Sequence, residues 1–386
     1  MPQTQDELLA AFQDALRSQR DGRLEEAAGL WAGVLAAAPA SAEARANLGL
    51  CLMSLGRLAE AENELRRSVA ERPDAPWAVR HLAALLAYAG RWSEAAGLLE
   101  HAVARAPEDP RLRLNLGYLR LGLGDFARGW PLYEARTALP DQNAAKPPLP
   151  GEWLGEDLNG RTILVWPEQG FGDQIQFARY VPALAERGAE VTLAAPGPLV
   201  RLFARLGQRV IEQTERTEVP VTDHWALIGS LAGRLGPMDF RPRPYLARTG
   251  RGASTSPPQR IGFAWRGRST HPNDAERSLP SPALLDRLNS AGRTFVDLTE
   301  PVGDFADLAE VVEGLDLVVT VDTALAHLAG ALGKPVFVLL PWWRQDWRWM
   351  QGRADSPWYP SARLFRQPRR GDWRAVLDEV AEALAR

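Results

Sequence analysis

The sequence has almost no cysteine and almost no lysine. Cys51 is the single cysteine among 386 residues, which excludes an intrachain disulfide and any metal cluster held by cysteines. The only two lysines are Lys146 and Lys334, so nearly all basic residues are arginine. A chain without disulfide bonds is the usual state in a reducing compartment, and we therefore expect a cytoplasmic protein.

Long apolar runs and a large excess of one charge are also lacking. No stretch of about eighteen apolar residues occurs, because Asp322, His327 and Lys334 interrupt the longest candidate, so we expect no membrane span. The formal net charge of -3 gives no reason to expect nucleic acid as a partner. Residues 1–19 alternate acidic and apolar types without the apolar core of a signal peptide, which predicts an unsecreted protein.

The first third of the chain repeats with a period of 34 residues, the spacing between successive glycines of one series. Three series share this register: Gly22, Gly56, Gly90 and Gly124; Pro39, Pro73 and Pro107; Ala27, Ala61 and Ala95, with Gly129 in the fourth place. Each period predicts a helical hairpin in which the small residue lets two helices approach, the glycine permits the turn and the proline ends the second helix. The pattern resembles the tetratricopeptide repeat. Such arrays form an α superhelix whose concave face holds peptides or proteins, and the alternatives are a structural spacer or a dimerisation platform.

After the proline-rich residues 140–150, short strands alternate with helices. The predicted strands are TILVW, EVTLAA, RVI, RIGFAW, TFVDL, LDLVVTV, KPVFVLL and ARLF, with a less regular region around DHWALIGSLAGRLG and a final helix over 372–386. This alternation predicts two α/β lobes with doubly wound parallel sheets. We therefore predict a repeat array over 1–139, a linker over 140–160, a first lobe over 161–250, a flexible linker over 250–258 and a second lobe over 259–386.

Residues 315–340 predict a strand, a sharp turn, a helix and a second strand. Asp322 and Thr323 stand where the helix begins, with Asp322 the better N-cap. His327 follows Thr323 by one turn, on the same helical face. The N-terminus of such a helix lies beyond the carboxyl end of the strand and suits phosphate. The alternative is that Asp322 only caps the helix and that His327 only packs in the core.

A second glycine-containing turn follows the first strand of the first lobe, in PEQGFGDQIQFARYVPAL. Gly170 and Gly172 allow a tight turn close to a ligand, and Asp173 lies at the start of the next helix. The glycine fingerprint of dinucleotide enzymes is incomplete, since its third glycine is missing. Taken alone, Asp173 could be nothing more than an N-cap.

Three separated motifs resemble glycosyltransferase family 9, the heptosyltransferase-like group: EQGFGDQIQFARYVPAL, VTVDTALAHLAGALGKPVFVLL and DSPWYPSARLFRQ. The chain is more closely similar to bacterial proteins in which tetratricopeptide repeats precede such a module, and more loosely to protein O-GlcNAc transferases. The resemblance implies a GT-B fold of two Rossmann-like lobes, a nucleotide-sugar as donor and inversion at the anomeric carbon. It also implies that neither a metal nor another cofactor is needed.

Carried over by motif, Asp173 falls on the family's proposed general base. Its acceptor-side loop is Gln169, Gly170, Phe171 and Gly172, and the motif that holds the donor's diphosphate and sugar falls on Asp322, Thr323, Ala324 and His327. The chain departs from the heptosyltransferases in two places, which leaves heptose and lipopolysaccharide open as substrates. Ala324 replaces a glycine, and FAWRGRSTH offers Arg266 and Arg268 where they have a lysine.

The chemistry also fits these residue types. The helix N-terminus at Thr323, together with His327 and Arg266, could stabilise a departing diphosphate, while Asp173 takes the acceptor's proton. Arg277 is a further donor-binding candidate, and for both arginines the alternative is a surface salt bridge.

These features predict an inverting, metal-independent glycosyltransferase that moves a sugar from a nucleotide-sugar to an acceptor protein or peptide docked on the repeats. One alternative is a non-catalytic adaptor with a degenerate nucleotide-sugar-binding module. Another is a two-lobed sugar-nucleotide epimerase or hydrolase, which would consume donor without an acceptor. Residues 341–360 contain five tryptophans, and we interpret them first as structure between the lobes, with Asp346 and Trp347 as weak site candidates.

Overall fold

The computed structural model describes residues 5–236, 241–247, 259–271, 273–288, 293–300 and 303–385. The chain divides into two compact units, Met1–Leu123 and Gly124–Arg386. The flexible linker predicted over 250–258 lies outside the described residues. Within the described ranges, no helix is both long enough and apolar enough to cross a membrane.

The first unit is built from paired helices. They are α1 (Gln5–Arg20), α2 (Leu24–Ala37), α3 (Ala42–Ser54), α4 (Leu58–Glu71), α5 (Pro76–Tyr88), α6 (Trp92–Arg105) and α7 (Pro110–Gly122). Gly22, Gly56 and Gly90 make the turns within the hairpins at φ of 75°, 79° and 75°, the left-handed region that glycine adopts without strain. Ala27 and Ala61, two of the small residues in register, are fully buried between helices. The predicted tetratricopeptide superhelix is thereby confirmed.

The second helix of the fourth hairpin belongs to the second unit. This helix, α8 (Phe126–Tyr133), keeps the 34-residue register, but its aromatic side chains pack within the second unit. The Trp130 ring centroid lies 5.6 Å from that of Trp347 and 6.3 Å from that of Trp358. The division between units therefore falls at residue 123, before the predicted end of the array at 139. Periodicity identifies a helix, but it does not identify the surface against which the helix packs.

The first lobe contains a four-stranded parallel sheet in the order β3-β2-β1-β4. Its strands and helices are β1 (Thr162–Trp166), α9 (Phe171–Phe177), α10 (Val181–Glu186), β2 (Glu190–Ala195), α11 (Gly197–Phe203), β3 (Arg209–Glu212), β4 (His224–Leu227) and α12 (Leu231–Leu235). A 3-10 turn at Ala178–Tyr180 separates α9 from α10, because Pro182 has no N–H to continue the helical ladder. The region predicted as less regular contains β4 and α12, which are too short to give a clear period.

The second lobe contains a five-stranded parallel sheet in the order β6-β5-β7-β8-β9. Its elements are β5 (Arg260–Ala264), α13 (Asp274–Arg277), β6 (Thr294–Asp297), α14 (Phe305–Glu313), β7 (Leu317–Val321), α15 (Ala324–Ala331), β8 (Val336–Leu340), β9 (Ala362–Arg366) and α16 (Trp373–Ala385). Trp373 and Leu377 of α16 pack with Phe263 and Val319 of the sheet in one buried cluster. Two Rossmann-like parallel-sheet lobes are therefore present, as predicted.

Residues 140–160 pack on the first lobe, although their composition predicted a linker. Trp153 is fully buried, and its backbone N–H donates to the carbonyl of Trp225 at 2.7 Å. The indole N–H of Trp225 in turn donates to the carbonyl of Leu149 at 2.9 Å. The segment thus covers the edge strand β4, whose backbone groups would otherwise lack partners.

Each sheet reverses its strand order at one point. In the first sheet β1 lies between β2 and β4, and in the second sheet β5 lies between β6 and β7. Ligands of open α/β sheets bind beyond the carboxyl ends of the strands at such points. The segments 167–173, 265–273 and 322–323 follow β1, β5 and β7, and they contain most of the predicted site residues.

Candidate functional site

Asp173 is the third residue of α9, and both of its carboxylate oxygens accept hydrogen bonds. Oδ2 accepts from the backbone N–H of Gly170 at 3.0 Å, so Asp173 does cap the start of its helix. Oδ1 accepts from Nη2 of Arg348 at 2.5 Å. The side chain nevertheless remains 27% exposed. A carboxylate offers about four lone-pair sites, so capping and ion pairing leave acceptor capacity on Asp173.

The segment that leads into α9 is held by Tyr133, the last residue of α8, and by Asn143. Gln169 adopts φ of 58°, a left-handed conformation that is uncommon for residues other than glycine. The hydroxyl of Tyr133 donates to Oε1 of Gln169 at 3.0 Å, and the backbone N–H of Gln169 donates to the carbonyl of Asn143 at 2.9 Å. These bonds fix the conformation of the residue directly before Gly170.

Glu168 anchors the same segment through a buried ion pair. The guanidinium of Arg136 donates to both carboxylate oxygens of Glu168, with Nε–Oε2 of 2.9 Å and Nη2–Oε1 of 2.7 Å. Ser230 accepts from Nη2 of Arg136 at 2.7 Å, and the N–H of Gly229 donates to Glu168 at 2.8 Å. Both charged side chains are at least 99% buried. Two-bond pairing of this kind fixes orientation as well as position.

Gly172 permits a close approach of the two lobes. A Cβ atom on Gly172 would lie 2.9 Å from Cδ2 of His327, too short for an ordinary contact, and 3.4 Å from Cα of Ala324. The first turn of α9 therefore packs directly on the first turn of α15. The glycine was predicted to make room for a ligand, and in the structure it makes room for the opposite lobe.

Thr323 is the N-cap of α15, and the prediction that Asp322 is the better N-cap is wrong. Thr323 has φ of -141° and ψ of 175°, and its side chain makes no capping hydrogen bond. Its hydroxyl instead lies 3.3 Å from that of Thr320. The pKa of Asp322 is raised to about 6, first by burial and then by the charge of Asp346. Asp322 is not the N-cap because β7 extends through Val321, which leaves Asp322 in the turn before the helix.

Arg277 lies at the same turn. Its Nη1 donates to the backbone carbonyl of Asp322 at 2.9 Å, and its Nε donates to Asp274 at 3.3 Å. The Arg277 side chain is only 13% exposed. A Cβ atom on Gly267 would lie 2.4 Å from Nη2 of Arg277, so the loop after β5 passes tightly over this guanidinium. A positive charge is thus fixed beside the residues that precede the helix.

Arg266 has a different setting. Its Nη2 pairs with Glu300 at 2.5 Å, and its side chain is 43% exposed. The guanidinium also lies 5.2 Å from the ring centroid of Trp265. This is the surface salt bridge that was the alternative interpretation. Its neighbour Arg268 lies 5.7 Å from the ring of Phe171, which itself packs edge-on against Phe305.

His327 is buried, with 6% of its surface exposed. Its Nδ1 lies 2.9 Å from the hydroxyl of Tyr359, and its ring stacks on Trp349 with 5.3 Å between centroids. Burial, reinforced by the nearby charge of Arg348, lowers the pKa of His327 to about 3. The imidazole is therefore neutral at neutral pH in the ligand-free protein. Arg277 is the better placed cation.

A buried neutral histidine makes stability fall in mild acid. Below pH 6.5 an unfolded chain protonates this residue while the native chain does not, so its contribution is complete above pH 6.5 and declines as pH falls toward 3. Between pH 7.5 and pH 5, urea unfolding of the second unit should show a loss about 2 kcal/mol larger for the wild type than for His327→Gln. The raised pKa of Asp322 should change the free energy of unfolding by the same amount in the wild type and in His327→Gln. The His271→Gln variant should change this loss less than His327→Gln does, because the pKa of His271 is also lowered but its side chain stays exposed. Equal losses in the wild type and His327→Gln would contradict the assignment.

Arg348 is the site residue that sequence reasoning missed. It is 4% exposed and lies in the segment between β8 and β9. Its guanidinium binds Asp173 and Gln176 of α9 as well as Asp346 of its own segment. The signal in the sequence was an Asp-Trp-Arg-Trp run just beyond the carboxyl end of a strand. A run so rich in tryptophan predicts packing, and the arginine within it was therefore not predicted as a site residue.

The comparisons with known proteins match both parts of the chain. Residues 19–87 and 76–119 match models of the tetratricopeptide repeat. Residues 281–340 match glycosyltransferase family 9 (heptosyltransferase), and this range includes Asp322, Thr323, Ala324 and His327. The chain carries tetratricopeptide repeats and a glycosyltransferase family 9 domain.

Protein FlbA of Caulobacter vibrioides is 28% identical over 321 residues, a match that covers 68% of this chain and 53% of FlbA. The chain thus spans about half the length of this curated relative. Among solved structures, Pseudomonas aeruginosa PilF is 24% identical over 35% of this chain and 62% of its own, with a TM-score of 0.33. MamA of Desulfovibrio magneticus RS-1 is 23% identical over 35% of this chain and 76% of its own, with a TM-score of 0.31.

The family 9 domain match supports a glycosyltransferase, and the structure places further polar groups beside the matched motif. His271, after β5, has its pKa lowered by burial and by Arg277, while the charges of Asp173 and Asp346 oppose this shift. These groups come from the segments that follow β1, β5 and β8, two of them from the short helices α9 and α13. The second unit therefore brings carboxylates, arginines and an imidazole to the carboxyl ends of both sheets.

The tryptophan-rich residues 341–360 are mainly structural, as interpreted from the sequence. Trp347 and Trp358 pack edge-on with centroids 6.0 Å apart, and both lie against Trp130. Trp349 is fully buried against His327. Asp346 is 37% exposed and pairs with Arg348 at 3.0 Å, which makes it a stronger site candidate than Trp347.

Proposed function

We propose that the protein is an inverting, metal-independent glycosyltransferase of GT-B type that moves a sugar from a nucleotide-sugar to an acceptor. The observation that carries this proposal is the bond from Arg348 to Asp173, which joins the carboxylate of the first lobe to the loops of the second. Asp173, the proposed base, then lies at the switch point of the first sheet, and the cationic turn at Asp322 and Arg277 lies at that of the second sheet. This arrangement suits displacement of a diphosphate by a hydroxyl.

In the proposed step the acceptor oxygen attacks the anomeric carbon of the donor. The bond from that carbon to the phosphate oxygen breaks, and the bonding pair leaves with the nucleoside diphosphate. Asp173 takes the proton of the acceptor hydroxyl. Arg277 and the N-terminus of α15 stabilise the negative charge of the leaving diphosphate. Attack opposite to the departing phosphate inverts the configuration.

The donor-binding part of the proposal is tested by two matched arginine variants. A donor at about 100 times its dissociation constant stabilises a protein by about 2.7 kcal/mol, which a thermal shift detects readily. Arg277→Gln should lose most of the shift given by nucleoside diphosphates and nucleotide-sugars, because its guanidinium lies at the Asp322 turn. Arg266→Gln should keep it, because that side chain pairs with Glu300 on the surface.

A screen of uridine, guanosine, adenosine and cytidine diphosphates and their sugars with the wild-type chain identifies the donor's base. Equal shifts in both variants would exclude Arg277 from the donor site. No shift with any nucleotide would count against the proposed function itself.

The acceptor is proposed to be a protein held by the repeats. Deleting residues 1–123 should raise the KM for a protein acceptor at least tenfold, while transfer to a short peptide acceptor stays within about threefold, since repeat arrays present extended binding surfaces. The deletion must stop before Gly124, because a cut at Pro140 would remove Trp130, Tyr133 and Arg136 from the second unit. A retained donor-induced thermal shift confirms that the shortened protein is folded. An unchanged KM would contradict docking on the repeats.

A non-catalytic adaptor is the second candidate. It is favoured by one observation, namely that both oxygens of Asp173 already accept hydrogen bonds. An adaptor would bind the nucleotide-sugar, give a thermal shift and release no nucleoside diphosphate at any acceptor concentration. Measuring diphosphate release with and without acceptor separates the two candidates, and release without an acceptor would indicate a hydrolase.

A further inference from the structure

Arg348 is a buried cation whose donors point to both lobes. Nη2 donates to Asp173 at 2.5 Å, Nη1 donates to both oxygens of Asp346 at 3.1 and 3.0 Å, and Nε donates to the side-chain oxygen of Gln176. Asp173 and Gln176 belong to α9 of the first lobe, whereas Asp346 lies after β8 of the second. The rigid guanidinium plane therefore fixes the position of α9 relative to that segment.

The surroundings hold Arg348 in a single orientation. Its guanidinium carbon lies 4.4 Å from the ring centroid of Trp347 and 5.5 Å from that of Phe177, so aromatic faces flank the charged group. The charges of Asp346 and Asp173 raise its pKa well above the ordinary value despite burial. The Arg348 side chain is 5% exposed, while those of Asp346 and Asp173 are 37% and 27% exposed. A fixed cation thus lies beneath two carboxylates that reach the solvent.

We infer that Arg348 is the positioning residue for Asp173, holding its carboxylate across the lobes in the orientation that accepts the acceptor's proton. The inference rests on the proposed function, in which Asp173 is the base. With Oδ1 held by Arg348 and Oδ2 held by the N–H of Gly170, the carboxylate cannot rotate, and its remaining lone pairs point in fixed directions. Arg348 itself neither gives nor takes a proton.

The test measures kcat and KM separately in the full chain. Arg348→Ala should lower kcat about 100-fold, the loss that a misplaced catalytic group can cause, and should leave the KM for donor within about threefold. Guanidinium at millimolar concentration should restore part of the activity of Arg348→Ala, because the ion fits the vacated volume, and ammonium should not. Arg348→Lys keeps the charge but cannot bridge two carboxylates, so it should remain at least tenfold slow.

Arg205→Ala is the matched control. Arg205 is 11% exposed and pairs with Glu313 at 2.7 Å, so it also joins the lobes, but it does not contact Asp173. Its kcat should equal that of the wild type and should not respond to guanidinium. If Arg348→Ala does not fold, as judged by the donor-induced thermal shift, Arg348→Lys decides, and a wild-type kcat in that variant overturns the inference.

A double variant separates positioning from general structural support. If Arg348 acts through Asp173, adding Arg348→Ala to Asp173→Asn should lower kcat no further. If kcat of the double variant falls by the product of the two single losses, Arg348 acts by another route, and the inference is overturned. Absence of transfer by the wild-type chain would instead defeat the proposed function, so the two failures are distinguishable.

Discussion

Replacing Asp173 with asparagine should lower kcat for sugar transfer by about 100-fold to 10,000-fold, the usual contribution of a general base. Asparagine has nearly the same shape and can still accept from the N–H of Gly170, so the start of α9 should be preserved. The KM for the nucleotide-sugar should change little, because the donor is proposed to bind the other lobe. The measurement is release of nucleoside diphosphate at saturating donor and acceptor.

Asp346→Asn is the matched control for that experiment. It removes the other carboxylate bound to Arg348, and it lies in the second lobe. A smaller loss in Asp346→Asn than in Asp173→Asn supports Asp173 as the base. An unchanged kcat in Asp173→Asn, with folding confirmed by the donor-induced thermal shift, would remove Asp173 from the mechanism. A large loss of kcat in Asp346→Asn with a small loss in Asp173→Asn would make Asp346 the base.

Replacing Arg136 with alanine should destabilise the second unit by about 3–5 kcal/mol, the range for breaking a buried ion pair from one side. The change leaves Glu168 buried without its two strongest bonds, and Arg136 is itself fully buried. Glu168 lies two residues before Gly170, so the segment that leads into α9 should lose order together with stability. Urea unfolding followed by tryptophan fluorescence measures the effect, because many tryptophans lie in this unit.

Two comparisons show whether that loss arises from the buried pair. Arg266→Ala breaks an exposed pair with Glu300 and should cost about 0–1 kcal/mol. The double variant Arg136→Met with Glu168→Leu removes both charges and should be more stable than Arg136→Ala, since no unpaired charge remains buried. Equal stability of Arg136→Ala and Arg266→Ala would show that the Arg136 pair contributes little.

The regular elements could be predicted from the sequence because their periods are simple. A repeat of 34 residues gave the helical hairpins, and β-branched runs such as Leu317–Val321 gave the strands of the second sheet. The turn at Asp322 and Thr323 was placed correctly, but the cap was assigned to the wrong residue. A shift of one position decides the cap, and that shift depends on where the strand ends in three dimensions.

The contacts of the candidate site could not be predicted in the same way. Arg348 and Asp173 are 175 residues apart in the chain, and no period connects them. The choice between Arg266 and Arg277 likewise depended on which side chain turns toward the Asp322 carbonyl and which turns toward Glu300. Local sequence patterns identify the residue types, whereas long-range packing decides which of them meet.

The close contact between α9 and α15 restricts how ligands can enter. Many two-lobed enzymes admit substrates by hinge motion that swings the lobes apart. Here such a swing would pull Gly172 away from His327 and would expose the buried charge of Arg348 to water without its partners. The contact between α9 and α15 and the ion pair of Arg348 therefore hold the two lobes together at this point. For the proposed transferase we therefore expect substrates to exchange through movements of the loops around this contact, with the two lobes staying together.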